Sequence, residues 1–379
     1  MSTFKIAHIT TVHLRYDVRI FMKECRSVGK CSEFAVDLVV ADGQGSETVD
    51  NVRINDLGVL SGSRLKKTLV GNYKLIKYLS SNQFDCVHFH DPDVFPCAVW
   101  MSFKGPKIVY DSHEDLPALV ASRGWIPVIV RKPLSRIAKF VETTATKRFA
   151  AVVAATPKIA LGFPKHKAVL VQNFPLAEEI SSDIAKQEIP DNPFNFIYTG
   201  AISQIRGLKQ VVEALEIANR TVDCRLVIAG SFHSAAFEEE LSSMDGWKNV
   251  EFVGFLDRSA MNKLLSSATG GIVTYLPTEH HIHAQPNKLY EYMGAGLPVI
   301  ASNFPLWVSL VSESEPNCGM TVNPADPHAI ASLLIDFCNG KYDLQSMGES
   351  GRTLVRKKYN WTVEEKTLMG LYSSLRGKV

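Results

Sequence analysis

No stretch of this 379-residue chain reaches about 18 uninterrupted apolar residues, so none is expected to cross a bilayer as a helix. The amino terminus, Met1 to His13, carries one lysine before a short apolar run. It lacks the long apolar core and small-residue cleavage site of a secretion signal, so the protein is expected in the cytoplasm, where it is made. An excess of charge of one sign is also missing: 41 Lys and Arg against 39 Asp and Glu give a formal net charge of +2. No global field then favours nucleic acid, which is not expected as a partner. The seven cysteines include no Cys-x-x-Cys pair and none lies beside metal-spaced histidines, so reduced thiols are expected. The first strand candidate is not followed by Gly-x-Gly-x-x-Gly, which argues against a dinucleotide-dependent dehydrogenase.

What is present is an ordinary globular composition, 46% hydrophobic and 21% charged, with length enough for two domains that each bury a core. Short apolar runs alternate with helix-length amphipathic segments. Strands are predicted at Lys5–Ile9, Phe34–Val40, Cys86–Phe89, Lys107–Tyr110, Ala151–Ala154 and Ala168–Val171, with helices at Leu65–Ser80 and Pro133–Phe149. The rhythm restarts with strands Phe194–Tyr198, Cys224–Ala229, Val250–Val253, Gly271–Thr274 and Pro298–Ala301. Helices Gly207–Ala218, Asp257–Ser266, Asn287–Met293 and Pro327–Cys338 lie between or after them. This alternation predicts an α/β fold of two parallel-sheet, Rossmann-like domains facing each other across a cleft. The polar, proline-rich stretch near residues 175–193 reads as the linker. The expected division is 1–175, 176–358 and a C-terminal helix in 359–379. Ligands of such sheets bind beyond the carboxyl ends of the strands, so the loops there carry the functional reading.

The most informative loop runs from Gln285 to Ser302. Pro286 at a helix start is preorganised and wastes no hydrogen bond. The free amides and partial positive charge of that helix end suit a phosphate, and Lys288 adds a full charge. Glu291, one turn on, can accept two hydrogen bonds from a ribose diol. Gly294 and Gly296 are expected to end the helix in left-handed conformations.

Glu291 followed by Met-Gly-Ala-Gly-Leu-Pro-Val resembles the second half of the Glu-x7-Glu element of retaining GT-B glycosyltransferases of family four. The resemblance extends over nearly the whole chain. It implies a GT-B fold and transfer of a sugar from a nucleotide diphosphate sugar, with no cofactor and no metal. The family's first glutamate falls at His283, so His283, or Glu279 in the same loop, stands in its place. His280, His281 and His283 lack a His-Glu-x-x-His pattern or a cysteine partner, so no metal is expected there.

The resemblance assigns the donor site to Gly200, Arg206, Gly230, Gly254, His283, Asn287, Lys288, Leu289 and Glu291. Relatives carry Gly-Arg and then Lys-Gly after the first strand of this half. Here Ala201 replaces the first arginine, and Arg206-Gly207 replaces Lys-Gly. The diphosphate role therefore goes to Arg206, whose guanidinium matches phosphate oxygens. Gly200 lets backbone approach the ligand, while Phe232 or Phe255 is placed to lie against the base. The resemblance puts the family's active-site histidine at His113, in Asp111-Ser112-His113-Glu114, so the catalytic set is His113, Glu291 and Arg206. Acceptor-side candidates are His13, Arg15, His90, Asp91 and Glu114. Asp17 reads as a helix N-cap.

Retention without a protein nucleophile is expected, with Arg206, Lys288 and the helix terminus stabilising the leaving diphosphate. Asp91-Pro92-Asp93 has the form of a metal-binding Asp-x-Asp but lies in the half that does not hold the nucleotide by family analogy. Residues 125–140, with Trp125, Ile129, Arg131, Lys132, Arg136 and Lys139, suit the anionic inner face of the cytoplasmic membrane. That surface would favour a lipid-linked saccharide acceptor, as in bacterial surface-polysaccharide and lipopolysaccharide assembly. The alternatives are an epimerase or phosphorylase on the same fold, or a non-catalytic nucleotide-sugar-binding regulator.

Overall fold

A computed structural model describes residues 3–113, 116–117, 120, 127–176, 194–279 and 281–377. The chain forms two compact units, Met1–Asn173 with Trp361–Val379, and Phe174–Asn360. The expected linker, Trp125 and Glu114 lie wholly or mostly outside the described residues.

The first unit holds an eight-stranded sheet in the order β3-β4-β2-β1-β5-β6-β7-β8. Its strands are β1 Phe4–Ile9, β2 Phe34–Val40, β3 Glu47–Val49, β4 Val52–Asp56, β5 Cys86–Phe89, β6 Lys107–Ser112, β7 Ala151–Ala154 and β8 Ala168–Leu170. All neighbours are parallel except β3 and β4. Parallel strands lie covered on both faces, which is why β2, β5 and β7 read as nearly continuous apolar runs. The β3–β4 pair was not anticipated. It closes through Asp50 and Asn51, both left-handed at φ 49° and 62°, the conformation of a two-residue hairpin turn.

Helix α1, Val18–Cys25, has wide π-type turns, with Met22 N donating to Asp17 O at 3.1 Å. Asp17 caps it as expected, accepting from the amides of Arg19 and Ile20. Helix α2 is Arg64–Ser81 and α3 is Phe95–Met101. Helix α4, Val128–Thr146, begins before the expected Pro133, which lies inside it. The last helix, Trp361–Arg376, packs on this unit. The Trp361 indole donates to Ser27 Oγ at 2.8 Å, and Glu364 accepts from Gln172 N at 2.8 Å.

The second unit is a six-stranded, all-parallel sheet in the order β11-β10-β9-β12-β13-β14. The strands are β9 Phe194–Thr199, β10 Cys224–Ala229, β11 Val250–Gly254, β12 Gly270–Val273, β13 Val299–Ser302 and β14 Gly319–Val322. Numbered within the unit, the order is 3-2-1-4-5-6, so the connections reverse direction between β9 and β12. That reversal opens a crevice at the carboxyl ends of those two strands. β14 and the helices Ala235–Ser242, Pro305–Val311 and Leu344–Lys357 were not anticipated. In β14, a glycine and a threonine interrupt the short apolar run that marks a strand.

Candidate functional site

Three strands of the second unit end in glycines that brace one another. Gly200 N donates to Ala229 O at 2.8 Å, and Gly230 N donates to Gly254 O at 2.7 Å. A Cβ on Gly230 would lie 1.9 Å from Gly200 O, so this floor admits backbone only. Gly207 is left-handed at φ 75°, and a Cβ there would lie 1.9 Å from Thr274 O. With Leu276 N donating to Ile205 O at 2.9 Å, this packing clamps the Gln204–Arg206 turn onto the end of β12.

The clamp fixes Arg206. Its Nη1 donates to the Tyr275 hydroxyl at 3.2 Å, and its guanidinium lies 5.2 Å from the Tyr275 ring centre. Lys288 enters the same crevice from the first turn of the helix Asn287–Gly294, which starts after Pro286. Its ammonium lies 3.6 Å from the Tyr198 ring centre and 5.5 Å from that of Tyr275. It also faces Gly200, whose Cβ, were there one, would sit 3.6 Å from Nζ. Lys288 is 7% exposed, yet Nζ has no hydrogen-bond partner. Burial, and next the charge of Arg206, hold its pKa well below the usual lysine value, with Glu291 opposing. Two cations therefore meet at the sheet's reversal point, and none of the ion pairs among the described residues includes either. The helix is held by Tyr292, whose hydroxyl accepts from Thr199 N at 2.7 Å.

The other donor-side candidates divide. Glu291 and Asn287 are half-buried on that helix, and His283 and Glu279 are exposed in the loop before it. Leu289 is a correction: its side chain is fully buried in the core and its amide donates to Pro286 O, so it supports the helix from below. Gly294 is a second correction, for it lies within the helix while Gly296 alone takes the left-handed conformation, at φ 76°. Phe232 packs on Phe237 and Phe252, whereas Phe255 is 88% exposed. His281 is buried against Tyr275, its Nδ1 3.2 Å from Leu276 O.

In the first unit the sheet reverses between β1 and β5, and the candidates lie after β1, β5 and β6. His13 Nδ1 pairs with Asp91 Oδ1 at 2.9 Å, while Asp91 Oδ2 accepts from Thr10 Oγ1 and Thr11 N. The bond to Asp91 raises the His13 pKa against the effect of burial. Its ring meets that of His113 edge-on at 5.1 Å. His113 Nδ1 lies 3.7 Å from Asp111 Oδ2, and the side chain is 23% exposed.

Arg15 is not free for an acceptor. Its guanidinium is used by both oxygens of Asp42, by Glu47 and by Gly45 O, and only 4% of the residue is exposed. His90 is fully buried and Asp91 2% exposed, so neither offers an accessible surface. Asp91 organises the Thr10–His13 loop, and His90 bonds to Asp111 at 3.0 Å. Asp111 is also the bidentate partner of buried Arg19, at 2.8 and 2.7 Å. Burial pushes the Asp111 carboxyl up, but the Arg19 charge and hydrogen bonds win and hold it well below the usual range. The sequence reading did not anticipate Arg19, Asp111 or His8 as partners. The His88-x-His90 spacing was the available signal, since alternate residues of a strand share a face.

Comparison with known proteins gives the family and the fold. The model of Glycosyltransferase Family 4 matches residues 14–167, and that of Glycosyl transferases group 1 matches residues 179–354. The chain belongs to the family-four, group 1 glycosyltransferases. It is similar to a phosphatidyl-myo-inositol mannosyltransferase of Propionibacterium freudenreichii, 23% identical over 79% of this chain and 73% of that one. It is also 25% identical to an uncharacterized glycosyltransferase of Methanocaldococcus jannaschii, over 48% of this chain and less than half, 46%, of that protein's length. A glycosyltransferase from Rickettsia africae shares the fold with a TM-score of 0.74 at 13% identity, covering 99% of both chains. Anabaena HepE in complex with UDP and glucose does so with a TM-score of 0.68 at 13% identity, covering 98% of this chain and 100% of that one.

Proposed function

We propose that this protein transfers a sugar, with retention at the anomeric carbon, from a nucleotide diphosphate sugar to a saccharide acceptor. The observation that carries the reading is Lys288, whose buried Nζ has no hydrogen-bond partner and lies beside Arg206 and a glycine floor. A buried cation is unfavourable until an anion neutralises it, and a diphosphate supplies charge and acceptors together. In this reading both cations stabilise charge building on the leaving diphosphate, a task a metal ion performs elsewhere. Glu291 takes the ribose hydroxyls. His113 hydrogen-bonds the transferred sugar, and His13 belongs to the acceptor side.

We further propose a lipid-linked acceptor met at an anionic membrane, as in bacterial surface-polysaccharide or lipopolysaccharide assembly. No helix among the described residues is long and apolar enough to cross a membrane. Helix α4, however, exposes Ile129 by 90%, Ile137 by 57% and Phe140 by 71%, with Lys132, Arg136 and Lys139 also exposed. Apolar and basic groups together suit a headgroup layer.

The test begins with a thermal-shift screen of nucleotide sugars. The best donor is then used with a lipid-linked saccharide, and the anomeric configuration of the product is read by NMR. The reading requires the donor's configuration in the product. Inversion, or a stable covalent glycosyl-enzyme, would contradict it. Flotation with anionic liposomes, lost on joint replacement of Ile129 and Phe140 by Asp, checks the membrane part; equal flotation of the variant would refute it.

A further inference from the structure

Beneath the first unit's sheet reversal lies a polar cluster that the transfer reaction does not use. His8 on β1 stands in parallel register with His88 on β5. His90 follows two residues on, and Glu24 comes from α1. All four side chains are fully buried, and one ligand atom from each lies within 4.8 Å of the others. His8 Nδ1 is 2.9 Å from His90 Nε2 and 3.9 Å from Glu24 Oε2, while His88 Nδ1 is 3.8 Å from Glu24 Oε2.

The protons of this cluster can be traced one by one. Asp111 Oδ2 only accepts, so His90 donates through Nδ1 and keeps a lone pair on Nε2. His8 then donates through Nδ1 to that lone pair and accepts at Nε2 from the Tyr372 hydroxyl, 3.0 Å away. Tyr372 in turn accepts from His88 Nδ1 at 2.6 Å. At the end of the chain His88 Nε2 and both oxygens of Glu24 have no hydrogen-bond partner. Arg19 Nε stands 3.3 Å from Glu24 Oε1, but its hydrogen goes to Asp111. His88 Nε2 is thus left with an unshared electron pair, and the Glu24 carboxyl has the Arg19 guanidinium as its neighbouring charge.

We propose that His8, Glu24, His88 and His90 form a structural site for a divalent transition ion of the zinc class. Three imidazoles and one carboxylate are a four-coordinate nitrogen and oxygen donor set that zinc accepts. Metal–ligand bonds of about 2.0–2.2 Å place tetrahedral ligand atoms roughly 3.3–3.6 Å apart, between the 2.9 Å and 3.9 Å separations seen here. The outer contacts also suit metal-bound histidines: Asp111 holds His90 at its other ring nitrogen, and an ion bound at His8 Nδ1 would move that ring's proton to Nε2, where the Tyr372 oxygen can accept it. The ion would tie β1, β5 and α1 together and, through Tyr372, the C-terminal helix. The site is separate from the diphosphate crevice of the second unit, so its success or failure is independent of the reaction proposed above.

The full-length protein, without an affinity tag that binds metal, is produced in zinc-replete medium, dialysed and analysed for metals by mass spectrometry. The expected result is about one transition ion per chain, retained by His283→Ala and lost from Glu24→Gln and His88→Ala. Protein grown with cobalt should show the visible bands of a four-coordinate ion. Should the two cluster variants fail to fold, the wild-type metal content and cobalt spectrum decide alone. Folded wild-type protein carrying less than about a tenth of an equivalent, or losing its metal with His283→Ala, overturns the proposal; the cluster is then held together by protons, with Glu24 protonated.

Discussion

Replacing Lys288 by Met separates binding from stability. The substitution keeps the length of the side chain between Tyr198 and Tyr275 and removes the ammonium. A buried polar group without a partner destabilises by about 1–3 kcal/mol, so the ligand-free variant should be more stable than wild type by that order. For a unit of this size that is about 3–10 °C in melting temperature. Nucleoside diphosphate affinity should move the opposite way. Losing one member of a desolvated charge pair costs about 2–4 kcal/mol, or roughly 30- to 700-fold in Kd. The lysine's pKa is lowered in the fold, so above it the unfolded chain binds the extra proton until about pH 10.4. Wild-type stability then rises with pH relative to the variant, and the gap between them closes. Paired thermal melts across pH, with calorimetric titration of UDP and GDP, measure both effects. A variant that melts lower than wild type and binds nucleotide equally well would refute the reasoning.

Gly207→Ala should damage the Arg206 clamp, because its Cβ would meet the Thr274 carbonyl in a left-handed backbone. Loss of nucleotide binding in a folded protein is the expected readout, and unchanged binding would show that the turn is not constrained. Arg19→Met leaves Asp111 buried without its bidentate partner, and chemical denaturation should show a loss of about 3–5 kcal/mol. His13 has a raised pKa through Asp91, so its stabilising contribution is full below about pH 6.5 and is lost as pH rises through the folded value. An NMR titration should place its midpoint above the free-histidine value, and His13→Gln should remove the matching pH dependence of melting.

Much of the fold was legible because parallel strands are buried on both faces. Runs such as Phe34–Val40 and Cys224–Ala229 have no other ready explanation in an amphipathic sequence. The hairpin at Asp50-Asn51 escaped because its strands are short and half exposed, leaving only the turn as a signal. Lys288 and Arg206 could be picked out from sequence as candidates because each lies at a helix start or turn beyond the end of a strand. Their shared packing on Tyr198 and Tyr275 could not be, since it depends on β9 and β12 being neighbours. Arg15 and Arg19 show the converse. Each looks like a surface cation in sequence, and each is buried on a carboxylate at least 27 residues away. His90 was misjudged for the same reason, because strand position alone does not reveal the C-terminal helix that seals His8 and His88.

The most direct test is a crystal structure of the protein with a bound nucleoside diphosphate. The account expects the phosphate oxygens within hydrogen-bonding distance of Lys288 Nζ and Arg206, with the ribose hydroxyls on Glu291. A diphosphate bound elsewhere, with Lys288 still unpartnered, would contradict it.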